Sequence, residues 1–383
     1  MAAKPHSSSA EPPPHDLRLF VCGDVMTGRG VDQILQHPSS PELYEPYVGD
    51  ARDYVRLAEQ QSGPIPRGAA PNYVWGDALG ELSQLAPDAR IVNLETGITR
   101  ANNAWAGKGI HYRMHPKNAS VLRAAAIDCC VLANNHVLDW GYEGLLETLD
   151  TLARQRLAYC GAGRDLNQAR QPAACDFGAR GRLLVFAVGV ASSGIPAAWL
   201  ATDATPGVWR LDSVNRAAAD AVAAQIAALR HPGDTVIVSI HWGGNWGFAI
   251  PEPQKAFARA LVDAGAADIV HGHSSHHIKG FEVYKDRLIL YGCGDFLNDY
   301  EGITGQAEYR GDLSAMYFPR ISAASGALLE LVLVPMQTRR LRLQRPDAAS
   351  VKWIADTLNR EGRALGTGVR LRADGRLEAL WAA

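Results

Sequence analysis

Residues that commonly bind metal ions follow five apolar segments of this 383-residue chain, at the point where each segment ends. The segments are "LRLFVCGD", "ARIVNLE", "DCCVLANNH", "TVIVSIHWGGN" and "DIVHGHSSH". Each ends on aspartate, glutamate, asparagine or histidine. The polar residues in these positions are Asp24, Asn93, Glu95, Asn134, Asn135, His136, His241, Asn245, His271, His273 and His276. The last segment is the densest, because four of the chain's 12 histidines lie between His271 and His277.

Imidazole, carboxylate and amide oxygen together, without thiolate, are ligands that suit zinc, iron, manganese or nickel. A second ion nearby needs a bridging carboxylate, and two-metal sites of this kind hold phosphate-like groups and activate water. Each residue also has a purely structural explanation, as a turn residue, a cap or a hydrogen-bonded core histidine. The repetition at five strand ends favours a site. Strand alternation puts His271 and His273 on one face, and His277 is predicted to lie at the surface.

The elements that position these residues are buried strands alternating with helices. Helices are predicted near 77–85, 117–126, 142–157, 212–230, 251–266 and 348–361. A closing hairpin is predicted to turn at Asp374-Gly375, and "RRLRLQR" is predicted to be a basic strand. Such alternation predicts an α/β sandwich, in which ligands lie beyond the carboxyl ends of the strands. We therefore expect the polar residues to converge, with the Pro/Gly-rich segment 37–73 as a long loop beside them.

Composition narrows the classes of function. The chain is 47% hydrophobic and 20% charged, with a net charge of −2, so nothing favours nucleic acid as a partner. Six cysteines without a CxxC pair predict buried reduced thiols. Residues 1–16 are predicted to be a disordered tail without a signal peptide. No apolar run is long enough for a transmembrane segment, so a cytoplasmic protein is expected.

The motifs "GDVM", "NLE", "LANNHVLDWG", "HWG", "GHSSHHIKGFEVY" and "YGCGDF" resemble, in order and spacing, those of the CapA family of bacterial poly-γ-glutamate capsule synthesis proteins. That family belongs to the calcineurin-like metallophosphoesterase superfamily. The resemblance spans roughly residues 18–300. It implies an α/β fold, a metallophosphoesterase-like four-layer α/β/β/α sandwich with mixed sheets, over residues 17–336. Residues 337–383 are then a strand and helix extension packed on the same domain.

The resemblance also implies roles for particular residues and a cofactor of one or two divalent transition-metal ions (Mn, Zn or Fe). The implied metal ligands are Asp24, Glu95, Asn135, His241, His273 and His276, with Glu95 or Asn93 in the bridging position. The implied catalytic residues are His136, as general acid, and Asn134. From their positions at or beside the strand ends, the residues predicted to bind substrate are Asn93, Trp242, Asn245 and His271. Trp242 either shapes a substrate pocket or packs in the core. The chain departs from the superfamily pattern at Met26, where a metal-binding histidine is usual, which leaves open whether one ion binds or two.

Three hypotheses follow. The first is a metal-dependent hydrolase or transferase that cleaves a phosphoester or a γ-glutamyl-type amide with metal-activated water. The second is a non-catalytic component of capsule or poly-γ-glutamate synthesis that binds an anionic polymer, aided by Arg339, Arg340, Arg342 and Arg345. The third is a degenerate enzyme fold with a structural metal. The partner is accordingly a small-molecule or anionic-polymer substrate, and the sequence does not define the oligomeric state.

Overall fold

The computed structural model describes residues 16–303 and 305–382. Most of the predicted disordered tail, residues 1–15, lies outside the described residues, and Asp16 already belongs to the first strand. The described helices are α1 (Arg29–Ile34), α2 (Arg52–Ser62), α3 (Ala78–Leu85), α4 (Ser120–Ala124), α5 (Gly141–Arg154), α6 (Leu166–Ala169), α7 (Arg216–Ala227), α8 (Glu252–Asp263) and α9 (Ala348–Gly362).

The described strands are β1 (Asp16–Val25), β2 (Ala89–Leu94), β3 (Gly97–Ile98), β4 (Arg113–Met114), β5 (Cys129–Val131), β6 (Ala158–Cys160), β7 (Ala162–Gly163), β8 (Ala173–Asp176), β9 (Arg182–Val190), β10 (Gly207–Val208), β11 (Arg210–Leu211), β12 (Thr235–His241), β13 (Ile269–His273), β14 (Phe281–Tyr284), β15 (Arg287–Leu290), β16 (Asp295–Leu297), β17 (Leu313–Ser322), β18 (Leu328–Thr338), β19 (Leu343–Gln344), β20 (Thr367–Leu371) and β21 (Leu377–Trp381).

Two large mixed sheets organise these strands. Sheet one runs in the order β20-β21-β18-β17-β1-β2-β5-β6, with β16 beside β1 and β19 beside β18. Sheet two runs β11-β9-β12-β13-β15-β14, with β8 beside β9. Strands β1, β2, β5 and β6 are parallel in sheet one, and β9, β12, β13 and β15 are parallel in sheet two. The carboxyl ends of parallel strands therefore meet at one edge of each sheet.

Three hydrophobic layers show how the sheets stack. One layer packs helices α2 to α5 on the outer face of sheet one, and it includes Trp75 and Leu145. A second layer lies between the two sheets and includes Val21 and Ile237. A third packs α7 and α8 on the outer face of sheet two and includes Phe257. Helix, sheet, sheet and helix therefore follow one another, which confirms the predicted four-layer sandwich with mixed sheets.

Several local predictions were wrong. The segment 128–136 leaves the sheet after Val131, so its polar end is a loop and not a strand. Residues 37–73 are not a continuous loop, because they include α2. Helix α7 begins later than the predicted residue 212, because Asn215 caps it with a side chain that accepts from the amide of Ala218. The basic segment "RRLRLQR" contributes only the two-residue strand β19.

The C-terminal residues join the sandwich that precedes them. Strands β20 and β21 form the predicted hairpin and extend sheet one through β18. Helix α9 buries Ile354 and Leu358 in the layer between the sheets. The predicted boundary between residues 336 and 337 falls inside β18, so the division into a domain and an extension stays a prediction. No helix among the described residues is long and apolar enough to span a membrane.

Candidate metal centre

The site begins at the end of β1, where strand pairing brings distant polar residues beside Asp24. Asp24 is in register with Asn93 on β2 and with Asp295 on β16. Its Oδ1 accepts a hydrogen bond from Nδ2 of Asn93 at 2.7 Å, and its Oδ2 accepts from the amide of Ser274 at 3.1 Å. The crossing with the β16 turn is tight, since a Cβ on Gly23 would lie 1.6 Å from the Gly294 carbonyl oxygen. Glycine at this position is therefore what lets Asp24 approach Asp295.

The turn that follows β13 is strained where it meets Asp24. Ser274 adopts a φ of 96°, a region that residues with a Cβ rarely occupy. That conformation aims the Ser274 amide at the Asp24 carboxylate. Strain of this kind persists where the surrounding structure over-determines it, and it is concentrated at functional sites.

Three carboxyl groups are buried together at this edge of sheet one. Oxygen atoms of Asp24, Glu95 and Asp295 all lie within 4.8 Å of one another. Burial, with a further contribution from Asp295, raises the pKa of Asp24 to about 7. Burial and then the neighbouring Asp24 and Asp295 raise the pKa of Glu95 well above its usual value. Three buried carboxylates at this distance repel one another, so a bound cation would stabilise their ionised forms.

Two histidines of sheet two face this cluster from the ends of β12 and β13. His241 and His273 are in register, both are fully buried, and their Nδ1 atoms lie 2.8 Å apart. Nδ1 of His273 is 3.6 Å from Oδ1 of Asp24. Nε2 of His241 is 3.0 Å from Oδ1 of Asn135 and 3.8 Å from Oε1 of Glu95. Asp24, His241 and His273 thus form a second set of mutually close ligand atoms, sharing Asp24 with the carboxylate set.

The hydrogen bonds behind His273 decide which of its nitrogens is free. Nε2 of His271 lies 2.7 Å from the Cys22 carbonyl oxygen, so this nitrogen carries a proton and donates it. Burial lowers the pKa of His271 to about 4, so its Nδ1 is unprotonated and accepts the Ser239 hydroxyl proton at 3.1 Å. The hydroxyl has no second proton, and Nε2 of His273 therefore donates to Ser239 Oγ at 2.9 Å.

Burial lowers the pKa of His273 well below its usual value, so the ring is neutral and its Nδ1 holds a lone pair. That lone pair faces the Asp24 carboxylate and Nδ1 of His241. With the Asn135 amide oriented as it is here, either neutral tautomer of His241 also leaves a lone pair against an acceptor. Facing lone pairs are unfavourable without a cation, and imidazole and carboxylate are suitable ligands for a divalent transition metal. The residues present therefore fit the metal that the sequence predicts.

The loop after β5 holds the predicted catalytic residues. Asn134 is buried and donates to Oδ1 of Asn93 and to the Leu94 carbonyl, which fixes the loop against β2. Its Oδ1 accepts from the amide of His136. Nε2 of His136 lies 3.9 Å from Oε1 of Glu95, beside the carboxylate cluster. Asn134 therefore contacts the loop backbone, whereas His136 faces the site.

His136 is oriented by two residues for which the sequence pattern predicts no role, Asp139 and Lys108. Nδ1 of His136 lies 2.6 Å from Oδ2 of Asp139 and 3.1 Å from Nζ of Lys108. Burial alone would raise the pKa of Asp139, but the neighbouring His136 and Lys108 have the larger opposite effect, so the pKa of Asp139 is below its usual value. An ionised Asp139 requires the proton of neutral His136 to sit on Nδ1. Burial lowers the pKa of His136 to about 4, so its Nε2 lone pair faces the site.

His276 and Asp295 form the other end of the site. Nδ1 of His276 lies 2.9 Å from both oxygens of Asp295, and Asn298 donates to Oδ2 of Asp295 at 3.0 Å. Asp295 belongs to the motif "YGCGDF", but the sequence pattern predicts no role for it. Met26, which replaces the usual histidine, is buried, and its amide donates to the Leu297 carbonyl. Asp295, on the strand next to Met26, therefore supplies a carboxylate near the position that Met26 leaves without a ligand.

The residues predicted to bind substrate occupy different environments in the structure. Asn93 lies in the site, bonded to Asp24. His271 has both nitrogens engaged by Cys22 and Ser239, so it orients His273 and has no group left for a substrate. Trp242 is buried in the layer under α8 and donates to the Tyr291 carbonyl, so it packs in the core. Asn245 is exposed, and its carbonyl oxygen accepts from the His276 amide.

His277 is not at the surface, as the sequence suggested, but fully buried. Its ring is stacked on Trp246 and packs against Phe248 and Tyr309. Trp246 also lies 5.4 Å from His276, so this aromatic cluster supports the loop that carries His276. The six cysteines are free thiols, and only Cys175 is not buried.

Two mixed sheets between helices, with carboxylate, amide and imidazole groups converging at the strand ends, define an α/β sandwich with a candidate divalent-metal centre. The chain belongs to the family described as bacterial capsule synthesis protein PGA_cap, whose sequence profile matches residues 18–300. This confirms the resemblance drawn from the motifs.

The chain is also similar to named proteins and to a solved structure. The chain is 45% identical over 371 residues to a probable polyglutamine synthesis accessory protein of Mycobacterium tuberculosis, with 97% of each chain covered. It is 28% identical over 282 residues to the PGA biosynthesis protein CapA of Bacillus subtilis, covering 72% of this chain and 62% of that protein. A solved structure of a novel phosphatase from Mycoplasma pneumoniae superposes with a TM-score of 0.45 and 11% identity, covering 88% of this chain and 96% of that chain.

Proposed function

We propose that this protein is a metal-dependent hydrolase or transferase of capsule-polymer synthesis, acting on a phosphoester or a γ-glutamyl-type amide. One observation carries the proposal: two sets of buried ligand atoms share Asp24 and lie beside an oriented histidine, His136. A purely structural metal needs a closed ligand set. Such a structural site does not require an additional histidine whose unprotonated nitrogen faces the ligands.

The ligands divide between the two sets. Asp24, Glu95 and Asp295 would hold one ion, and Asp24, His241 and His273 another, with Asn135 beside His241. Asp24 lies 3.6 Å from His273 and Glu95 lies 3.8 Å from His241, so both carboxylates would be available to either ligand set. A bound divalent ion of the Mn, Zn or Fe type would supply Lewis acidity and polarise an oxygen of the substrate.

His136 moves a proton at Nε2. Neutral His136 donates from Nδ1 to Asp139, so its Nε2 is a proton acceptor in the resting protein. The general-acid role predicted from the family therefore requires His136 to gain a proton first. The ionised Asp139 stabilises the imidazolium that this step forms, and Lys108 keeps Asp139 ionised.

The accessory-protein names of the relatives favour a second candidate, binding of an anionic polymer without turnover. The basic segment 339–345 is a weaker polymer site than its sequence suggests. Arg342 lies 3.3 Å from Asp77, and Arg345 lies 3.5 Å from Glu81. Two of its four cations are thus offset by neighbouring carboxylates.

The test combines elemental analysis with a substrate screen on protein purified without a histidine tag. Metal-loaded protein is assayed with p-nitrophenyl phosphate, bis-p-nitrophenyl phosphate and γ-glutamyl-p-nitroanilide. We expect one or two divalent transition-metal ions per chain and turnover of at least one substrate class. His136→Ala should lower kcat on the order of 100-fold or more, with metal content unchanged.

His231→Ala is the matched control, because His231 is exposed at the turn before β12 and should change neither metal content nor rate. Protein without stoichiometric metal would exclude the metal centre. His273→Ala with wild-type metal content would exclude the ligand set that includes the histidines of sheet two. Metal without turnover, combined with tight binding of poly-γ-glutamate, would favour the polymer-binding alternative.

A further inference from the structure

Two tyrosines that neither the motifs nor the family assignment single out connect the two ends of the site. The ring of Tyr112 stacks on the ring of His136, with centroids 3.9 Å apart and an interplanar angle of 22°. The ring of Tyr300 meets the ring of His276 edge-on, with centroids 5.4 Å apart. The two phenolic oxygens lie 2.5 Å apart. One short hydrogen bond therefore links a residue beside His136 to a residue beside His276.

The proton count of this pair is informative. Two phenols carry two O–H protons, since a phenol ionises only near pH 10. Their mutual hydrogen bond uses one proton. Among the described residues, neither hydroxyl of Tyr112 and Tyr300 has another hydrogen-bond partner. One O–H proton is left to donate, beside the rings of His136 and His276.

A buried cation stands behind the pair. The Arg29 guanidinium lies 5.0 Å from the Tyr112 ring centroid and 5.5 Å from the Tyr300 ring centroid. Asp299 holds it through bonds of 2.9 and 2.5 Å, and Glu45 holds it through a bond of 2.9 Å. Arg29 is therefore already paired with two carboxylates. It packs against the two tyrosine rings and is not available to bind a ligand.

We propose that the Tyr112–Tyr300 pair donates its unused O–H proton to an anionic oxygen of the substrate, on a phosphoryl or carboxyl group. This inference rests on the proposed function and names the part of the site that recognises the substrate's charge. The pair carries no charge of its own, so it favours an anionic oxygen without competing with the metal ligands for ions. Donors fixed in advance where negative charge sits are the most effective electrostatic element of an active site.

The test measures binding and needs no turnover. Inorganic phosphate and γ-glutamyl-glutamate are titrated into the manganese-loaded full chain by calorimetry, for the wild type, Tyr112→Phe, Tyr300→Phe and the double variant. We expect at least one single variant to bind one of the two anions on the order of 10-fold more weakly. The double variant should be about as weak as the weaker single variant, because the hydroxyl that donates to the anion is missing from both. Metal content and thermal stability should stay at wild-type values.

Tyr309→Phe is the matched control, since its ring packs on His277 and not on His136 or His276. It should bind both anions like the wild type. Tyr300 is partly exposed, so Tyr300→Phe provides a folded variant even if the change at buried Tyr112 destabilises the chain. If all Phe variants keep metal and bind both anions with wild-type affinity, the inference is overturned and the proposed function stands. If the metal-loaded wild type binds neither anion, both fall.

Discussion

At the residue scale, a chain of hydrogen bonds determines which nitrogen of His273 is free to bind a metal ion. The Cys22 carbonyl, His271, Ser239 and His273 are linked in that order, and the direction of each bond follows from the one before. This chain of hydrogen bonds ends at Nδ1 of His273, which is left as a lone pair facing Asp24. Ser239 is the residue on which this direction depends, because its single proton can serve only one of the two histidines.

Ser239→Ala should therefore weaken metal binding although Ser239 is not a ligand. Loss of a partner that orients a ligand typically costs 10- to 100-fold in metal affinity, and we expect a loss of about that size in a chelator-competition titration. Ser314→Ala is the control, because Ser314 is a buried serine whose hydroxyl has no partner among the described residues. Equal affinities for the two variants would contradict the assigned direction of the bonds.

Because the pKa of Asp24 is raised, the stability of the metal-free protein and that of the metal-bound protein should depend differently on pH. Its pKa is raised from an ordinary value of 3.8 to about 7, so in metal-free protein its stabilising contribution is full below about pH 4 and lost as the pH rises through 7. Metal binds the ionised form. Below pH 7 the ion must displace a proton, which costs roughly tenfold in affinity per pH unit. At one fixed manganese concentration, urea unfolding should show a larger metal-induced stabilisation at pH 8 than at pH 6. Equal gains at both pH values would show that Asp24 is not a ligand.

At the scale of elements, the prediction of the site depended on strand ends. Apolar runs that stop on Asp, Asn or His identify the carboxyl ends of β1, β2, β12 and β13 without knowledge of the strand order. Asp295 was missed because it begins a strand, and its neighbour is known only once β16 pairs with β1. Lys108 and Asp139 were missed for a related reason, since loop conformation brings them to His136. Sequence pattern shows which residues end a strand, and it does not show what packs beside them.

The segment 37–50 is an element whose sequence predicts only a loop, yet one side chain ties it to the site. The side chain of Glu45 is only 7% exposed, and its carboxylate accepts hydrogen bonds from the Arg29 guanidinium and the Tyr54 hydroxyl. Arg29 in turn is held by Asp299, next to Tyr300 in the chain. Loss of the Glu45 carboxylate should therefore make the backbone of residues 37–50 more mobile. The metal ligands should stay in place, because none of them belongs to this segment.

Glu45→Gln should speed hydrogen exchange within residues 41–51 on the order of tenfold, because a charge-assisted hydrogen bond contributes about 1.5 kcal/mol or more to local stability. The amides to monitor are those of Leu43 and Ala51, which bond carbonyls within the segment. Glu42→Gln is the control on the same segment, since Glu42 is exposed. Unchanged exchange in Glu45→Gln would mean that the segment is held by contacts other than the Arg29 pair.

At the scale of the whole molecule, the candidate ligands come from both sheets. Asp24, Glu95 and Asp295 belong to the edge of sheet one, and His241 and His273 end strands of sheet two. The two sheets otherwise meet through the apolar layer between them. An ion bound by both sets of ligands would join the sheets directly, so metal binding and global stability should be linked.

Manganese at about 100 times its dissociation constant should therefore raise the free energy of unfolding by about 2.7 kcal/mol, measured by urea denaturation with and without the ion. The double variant His241→Ala/His273→Ala removes the sheet-two ligands and should lose most of this gain, whereas His231→Ala, at an exposed turn, should keep it. A double variant that manganese stabilises as much as the wild type would place the ion on the carboxylates of sheet one alone. In that case the centre would hold one ion, and Asp295 rather than the histidines would replace the ligand that Met26 lacks.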